Sequence, residues 1–139
     1  MNNTLKLGII GFISGIILMI ILKIVMLITG NPAYILLFNF DYIPVIQDFR
    51  PTWLFGYLFH FVTCIVSVIA LYYILKIWHL EKRIIYYILV YSIGGGGLFF
   101  LTSLSPQLPE SDDWIAWIYW TLAHAIYGIS VGGLIKKWI

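Results

Sequence analysis

The sequence predicts an all-α integral membrane protein in which four transmembrane helices fold as an antiparallel bundle, with a short interfacial helix in the first outer loop. Three observations carry that prediction. Composition comes first: 62% of the residues are hydrophobic and only 10% charged, with a mean hydropathy of +0.98, whereas soluble domains are about 45–50% apolar. Several apolar runs also exceed the roughly 18 residues that mark a bilayer span. Finally, Trp114 to Ile139 is written as a complete span, with Trp114, Trp117, Tyr119 and Trp120 at one end and Lys136 and Lys137 at the other. Those ends match an aromatic belt and a cationic cytoplasmic edge. The 139 residues therefore read as a single four-helix membrane domain, 1–139, with spans at about 5–29, 52–78, 84–104 and 114–137.

The first span has a run from Leu7 to Ile28 that is longer than the core of a signal peptide, and no small-residue cleavage site follows it, so it is expected to be retained. Gly30 is suited to the left-handed turn that stops a helix. Gly11 and Gly15 form a GxxxG pair, whose physical meaning is close approach of a second helix. Lys23 is a charge inside the run; it either snorkels to the interface or enters an internal ion pair or site.

Gly30 to Pro51 is too long for a tight turn and too apolar for a solvated loop, so it should lie on or dip into the membrane. Asn31 followed by Pro32 is a helix start, which predicts a short helix over Pro32 to Phe38. Asp41, enclosed by aromatic and aliphatic neighbours, is a candidate site residue from this loop.

In the second span Gly56, His60, Thr63, Cys64 and Ser67 recur at helical spacing and make a narrow small-and-polar stripe. Cys64 is the only cysteine, which excludes an intrachain disulfide and suits a small buried hydrophobe. A short basic connection, Lys76 to Arg83, leads to the third span. There the run Gly94 to Gly97 predicts either a broken helix beside a cavity or very tight packing. The run lacks the Lys and Ser/Thr of a phosphate loop. Ser105 to Trp114 is an aqueous loop with three carboxylates, and Asp112 or Asp113 should start the last helix. In that helix His124, Gly128 and Gly132 fall at steps of four and share a face.

Lys6, Lys76, Lys82, Arg83, Lys136 and Lys137 fall on one side of a four-crossing chain, with Arg50 on the other. By the positive-inside rule the N and C termini are cytoplasmic, as in a multi-pass protein of the cytoplasmic membrane. This folding puts His60 about 12 Å and His124 about 15 Å below the outer surface, with Lys23 somewhat nearer to it. The expected site is a polar pocket bordered by Lys23, His60 and His124 that opens outward beneath Asp41. Its histidines would act as neutral ligands or proton acceptors. The expected packing residues are Gly11, Gly15, Gly128 and Gly132.

At HAIYGISVGG, His124 to Gly133, the chain resembles small four-span bacterial inner-membrane proteins of the YagU-like kind. The resemblance implies location and architecture more than chemistry, because function in that group is poorly defined. Three function classes follow from the residues. The leading one is a non-enzymatic membrane protein that handles or senses a small solute or proton, or supports membrane stress tolerance. A second is a haem-binding protein with His60 and His124 as axial ligands. A third is a structural or assembly partner that packs through its glycine faces on itself or another membrane protein. HExxH and paired intramembrane aspartates are missing from the sequence, and its GxSxG string, Gly128 to Gly132, lies inside an apolar helical run rather than on a strand-to-helix turn, so no enzyme class is favoured and no resident metal is assigned. The small net charge of +2 gives no reason to invoke nucleic acid.

Overall fold

A computed structural model describes residues 2–40 and 53–139. Among them there are four long helices, α1 (Asn3–Thr29), α2 (Trp53–Ile77), α3 (Ile84–Leu98) and α4 (Trp114–Trp138), and two 3₁₀ helices, η1 (Pro32–Phe38) and η2 (Phe99–Leu104), with no strand. α1, α2, α4 and the continuous stretch Ile84–Leu104 are each long and apolar enough to cross a membrane. Their outward faces carry residues such as Leu27, Ile28, Ile93 and Leu104 in exposed positions. Helices that are apolar all round are those that water does not surround.

The helix ends follow the local chemistry of the sequence. Asn2 accepts a hydrogen bond from Thr4 N at 3.1 Å to start α1. Gly30, at φ 72°, ends it and returns its N–H to Met26 O at 2.9 Å. A left-handed residue at this position is favoured as glycine because no Cβ meets the backbone. Asn31 then caps Ala33 N at 3.0 Å and Pro32 opens η1, so the short helix expected after Asn31 has the anticipated bounds but the tighter 3₁₀ winding. Asp113, rather than Asp112, caps α4 through Ala116 N at 2.9 Å. Asp41, Asp48 and Arg50 lie outside the described residues.

Packing is uneven around the helices. α1 lies against both α2 and α4, α4 lies against α3, and η1 touches α1, α2 and α4, whereas α2 and α3 share few direct contacts. The α1–α2 seam is tightest at Gly11, where a Cβ would sit 2.8 Å from Ile65 Cα and 3.0 Å from Cys64 O. The α3–α4 seam is as tight at Gly128, where a Cβ would sit 2.7 Å from Tyr87 O, and at Gly132, 3.0 Å from Ile84 Cα. Such distances bring backbone against backbone and leave room only for hydrogen. α1 and α4 are joined by the Ser14 and Ser130 hydroxyls at 2.9 Å and by Lys6 Nζ, which donates to Trp138 O at 2.8 Å. The buried residues Leu7, Ile10, Leu22, Val68, Tyr87, Val131 and Ile135 fill the space between these seams.

Candidate functional site

Where α2 and α3 fail to meet, a cavity of about 300 Å³ remains. α2 contributes His60, Thr63, Cys64 and Ser67 to its wall; α3 contributes Val90, Tyr91, Gly94, Gly95 and Leu98. Trp120, His124 and Tyr127 of α4 close the back, Leu18 of α1 borders it, and Leu36 and Leu37 of η1 also line it. His60, Cys64, Tyr91, Trp120 and Tyr127 are buried, while Thr63, Val90, Gly94 and Leu98 are exposed. The open edge therefore lies along the flanks of α2 and α3.

Both histidines are anchored on backbone carbonyls. His60 Nε2 lies 3.1 Å from Gly15 O and His124 Nδ1 lies 2.8 Å from Trp120 O. A carbonyl only accepts, so each of these nitrogens carries a proton, and the other nitrogen of each neutral ring keeps a lone pair. His60 Nδ1 has the Cys64 thiol 3.9 Å away. Gly15 itself packs closely on α2, where a Cβ would stand 3.1 Å from Cys64 Sγ. Gly95 makes room for the His124 ring: a Cβ on it would lie 2.6 Å from His124 Cδ2.

Trp120 and Trp117 hold α3 against α4. Their indole N–H groups donate to Gly95 O at 2.8 Å and Gly96 O at 3.0 Å. The glycines leave these carbonyls open to a side chain from the next helix. The helix changes winding just beyond them, at Leu98 and Phe99. Tyr127 Oη donates to Cys64 O at 3.2 Å and ties α4 to α2 across the back of the cavity. Its ring meets that of Tyr91 edge-on at 4.7 Å. Tyr91 itself is 9% exposed, and its hydroxyl has no hydrogen-bond partner. A buried hydroxyl in that state is expensive, by about 1–3 kcal/mol.

The expected site residues are distributed as follows. His60 and His124 line one cavity. Lys23 does not line it; its ammonium sits over the Tyr34 ring, 4.8 Å from the centroid. Burial first, and then the Tyr57 hydroxyl, pushes the Tyr34 phenol up to about 12, so Lys23 faces a neutral ring in a cation–π contact rather than an ion pair. Among the described residues the exposed lining lies on the flank between α2 and α3, with η1 along one wall; the expected outward opening beneath Asp41 falls outside the described residues. Asp41 lies outside the described residues. Tyr91 and Tyr127 were not singled out from the sequence, and Trp120 was assigned to the aromatic belt although it is 7% exposed. Trp120 precedes His124 by one helical step of four, which is the signal that it shares the buried face. Among the described residues there is no group of three or more His, Cys, Asp or Glu that could hold a metal ion. Compared with protein-family models, with curated proteins and with solved structures, the chain finds no match.

Proposed function

We propose that the chain is a non-enzymatic, multi-pass protein of the cytoplasmic membrane that binds or senses a small solute in the cavity between α2 and α3. The observation that carries this reading is that His60 and His124, on different helices and far apart in sequence, line one cavity together with an unpartnered tyrosine hydroxyl. The direction of contacts within two helix pairs supports it: Gly11 lies against Ile65 and Gly15 against Phe61, and Gly132 lies against Ile84 and Gly95 against His124, so sequence number rises along one helix as it falls along its neighbour. On that reading Lys6, Lys76, Lys82, Arg83, Lys136 and Lys137 lie on the cytoplasmic side with both termini. Ready labelling, from outside intact cells, of a cysteine introduced at Lys82 would overturn this orientation.

The site reading is tested with Gly94→Leu. A Cβ at Gly94 meets nothing within 4 Å, so the new side chain should enter the cavity mouth without a clash. In ¹⁵N-histidine NMR of the protein in lipid nanodiscs, both His60 and His124 are expected to shift while His79, in the loop before α3, stays put. Unmoved signals for both cavity histidines would show that they do not share the space.

Haem ligation is a second reading, favoured by the free lone pair on each of the two imidazoles. It is opposed by the lining, which among the described residues has no Lys or Arg to receive the carboxylates of the porphyrin. A Soret band in protein purified after haem-supplemented expression would decide for it.

A further inference from the structure

The inference rests on the cavity reading above and names the chemistry of what the cavity takes. Among the described residues no Asp, Glu, Lys or Arg lines it. A charged ligand would leave water without a counter-charge to meet, which is costly in an apolar surrounding. Most of the lining is instead aliphatic and aromatic, as small-molecule pockets are.

The polar groups that remain are specific in kind. The carbonyl anchors leave His60 Nδ1 and His124 Nε2 as acceptors, because the other nitrogen of each neutral ring keeps the proton and donates it in a hydrogen bond to Gly15 O or Trp120 O. Tyr91 supplies the complementary group, a buried O–H with no partner. Ser67 and Tyr127 have already committed their protons to Cys64 O. A ligand that completes this set must donate to an imidazole and accept from a phenol, which a hydroxyl group does and a ketone or an ether does not.

Size and access narrow it further. An apolar cavity of about 150 Å³ admits a benzene ring, so one of about 300 Å³ holds a ring with a short chain. The rim residues Thr63, Val90, Gly94 and Leu98 are exposed on the helix flanks, a side that faces hydrocarbon if the helices cross a bilayer. We propose that the cavity binds an uncharged, lipid-soluble hydroxyl compound of the alkylphenol class, which enters sideways between α2 and α3, donates to a histidine and accepts from Tyr91.

The test uses the full chain in nanodiscs, ¹⁵N-histidine NMR as readout, and three probes: 4-butylphenol, its methyl ether 4-butylanisole, and 4-butylbenzoate. The phenol is expected to shift His60 and His124 saturably and to bind about tenfold more tightly than the ether, the scale of one or two hydrogen bonds. The benzoate should bind more weakly still. Tyr91→Phe keeps the ring and removes only an unpartnered hydroxyl, so it should fold; it should cut phenol affinity roughly three- to tenfold and the ether, whose oxygen can also accept from Tyr91, by no more than that. Gly94→Leu should abolish saturable binding of both. Equal affinity for phenol and ether, tighter binding of benzoate, or indifference to Tyr91→Phe would overturn hydroxyl recognition. If Gly94→Leu by itself still shifts both histidines in that event, the shared cavity stands and only its ligand chemistry is wrong. If Gly94→Leu leaves both signals in place, the cavity reading falls as well.

Discussion

α3 has two faces that treat glycine in opposite ways. Toward α4, Gly95 and Gly96 receive the His124 ring and the Thr121 side chain so closely that added Cβ atoms would lie 2.6 and 3.0 Å from them, and their carbonyls accept two indole N–H groups. Toward α2, Gly94 meets nothing within 4 Å and its neighbours border the cavity. Neighbouring residues of one chemical type therefore produce a closed seam on one side and a vacancy on the other. The two are linked mechanically. Because the seam and the indole bonds hold α3 on α4, α3 stands off from α2, and His60 and His124 both line the space left over.

Substitutions along the two faces should separate in size and sign. The largest effect is expected at Gly128→Leu, whose side chain would have to displace the Tyr87 and Ile88 backbone; thermal unfolding in detergent should report a loss of about 1–3 kcal/mol or more. An unchanged melting temperature would mean that the seam is slack. Gly95→Ala should follow, losing about 1–2 kcal/mol as the His124 ring is pushed aside, and the His124 Nδ1 proton signal should move with loss of its bond to Trp120 O. Trp120→Phe keeps an aromatic ring but removes the donor to Gly95 O; about 0.5–1.5 kcal/mol should be lost, with α3 freer to exchange its amide protons near Gly95. Gly94→Ala, on the open face, is expected to be neutral or stabilising by up to about 1 kcal/mol through helix propensity alone. A clear loss there would show that α2 and α3 close on each other.

Much of the architecture was legible because the residues that write it act locally. Apolar run length marks the four long helices, Gly30 marks the end of α1, and Asn31 with Pro32 marks η1; each depends on neighbours within one helical turn. The shared depth of His60 and His124 was readable from the same source. The rotation of Lys23 was not. Each step of four overshoots a helical turn by about 40°, so the side that begins at Gly15 has drifted by about 80° when it reaches Lys23. The drift carries it away from Leu18, which does line the cavity, and over Tyr34. Trp120 was misplaced for a related reason. Indoles near a helix end fit an aromatic belt, but whether one turns inward depends on an open carbonyl across the seam, and that carbonyl belongs to a helix about 25 residues earlier. Tyr91 had no visible signal at all, since its distinction lies in a hydroxyl that nothing reaches.

The change of winding at the end of α3 also bears on hydrophobic matching. The 15 residues of α3 rise only about 22 Å at 1.5 Å each, short of a hydrocarbon core of about 30 Å. The six residues of η2, stretched to roughly 2.0 Å each, bring the stretch to about 34 Å. Continued as an α-helix, the same residues would reach about 31 Å, level with the core but without slack for tilt. The tighter coil thus makes the shortest of the four long apolar stretches comparable in reach to its 25- and 27-residue neighbours. In a thicker bilayer, η2 is the segment from which α3 would draw extra length, and in a thinner one it is where the stretch would shorten by returning to α-helical winding.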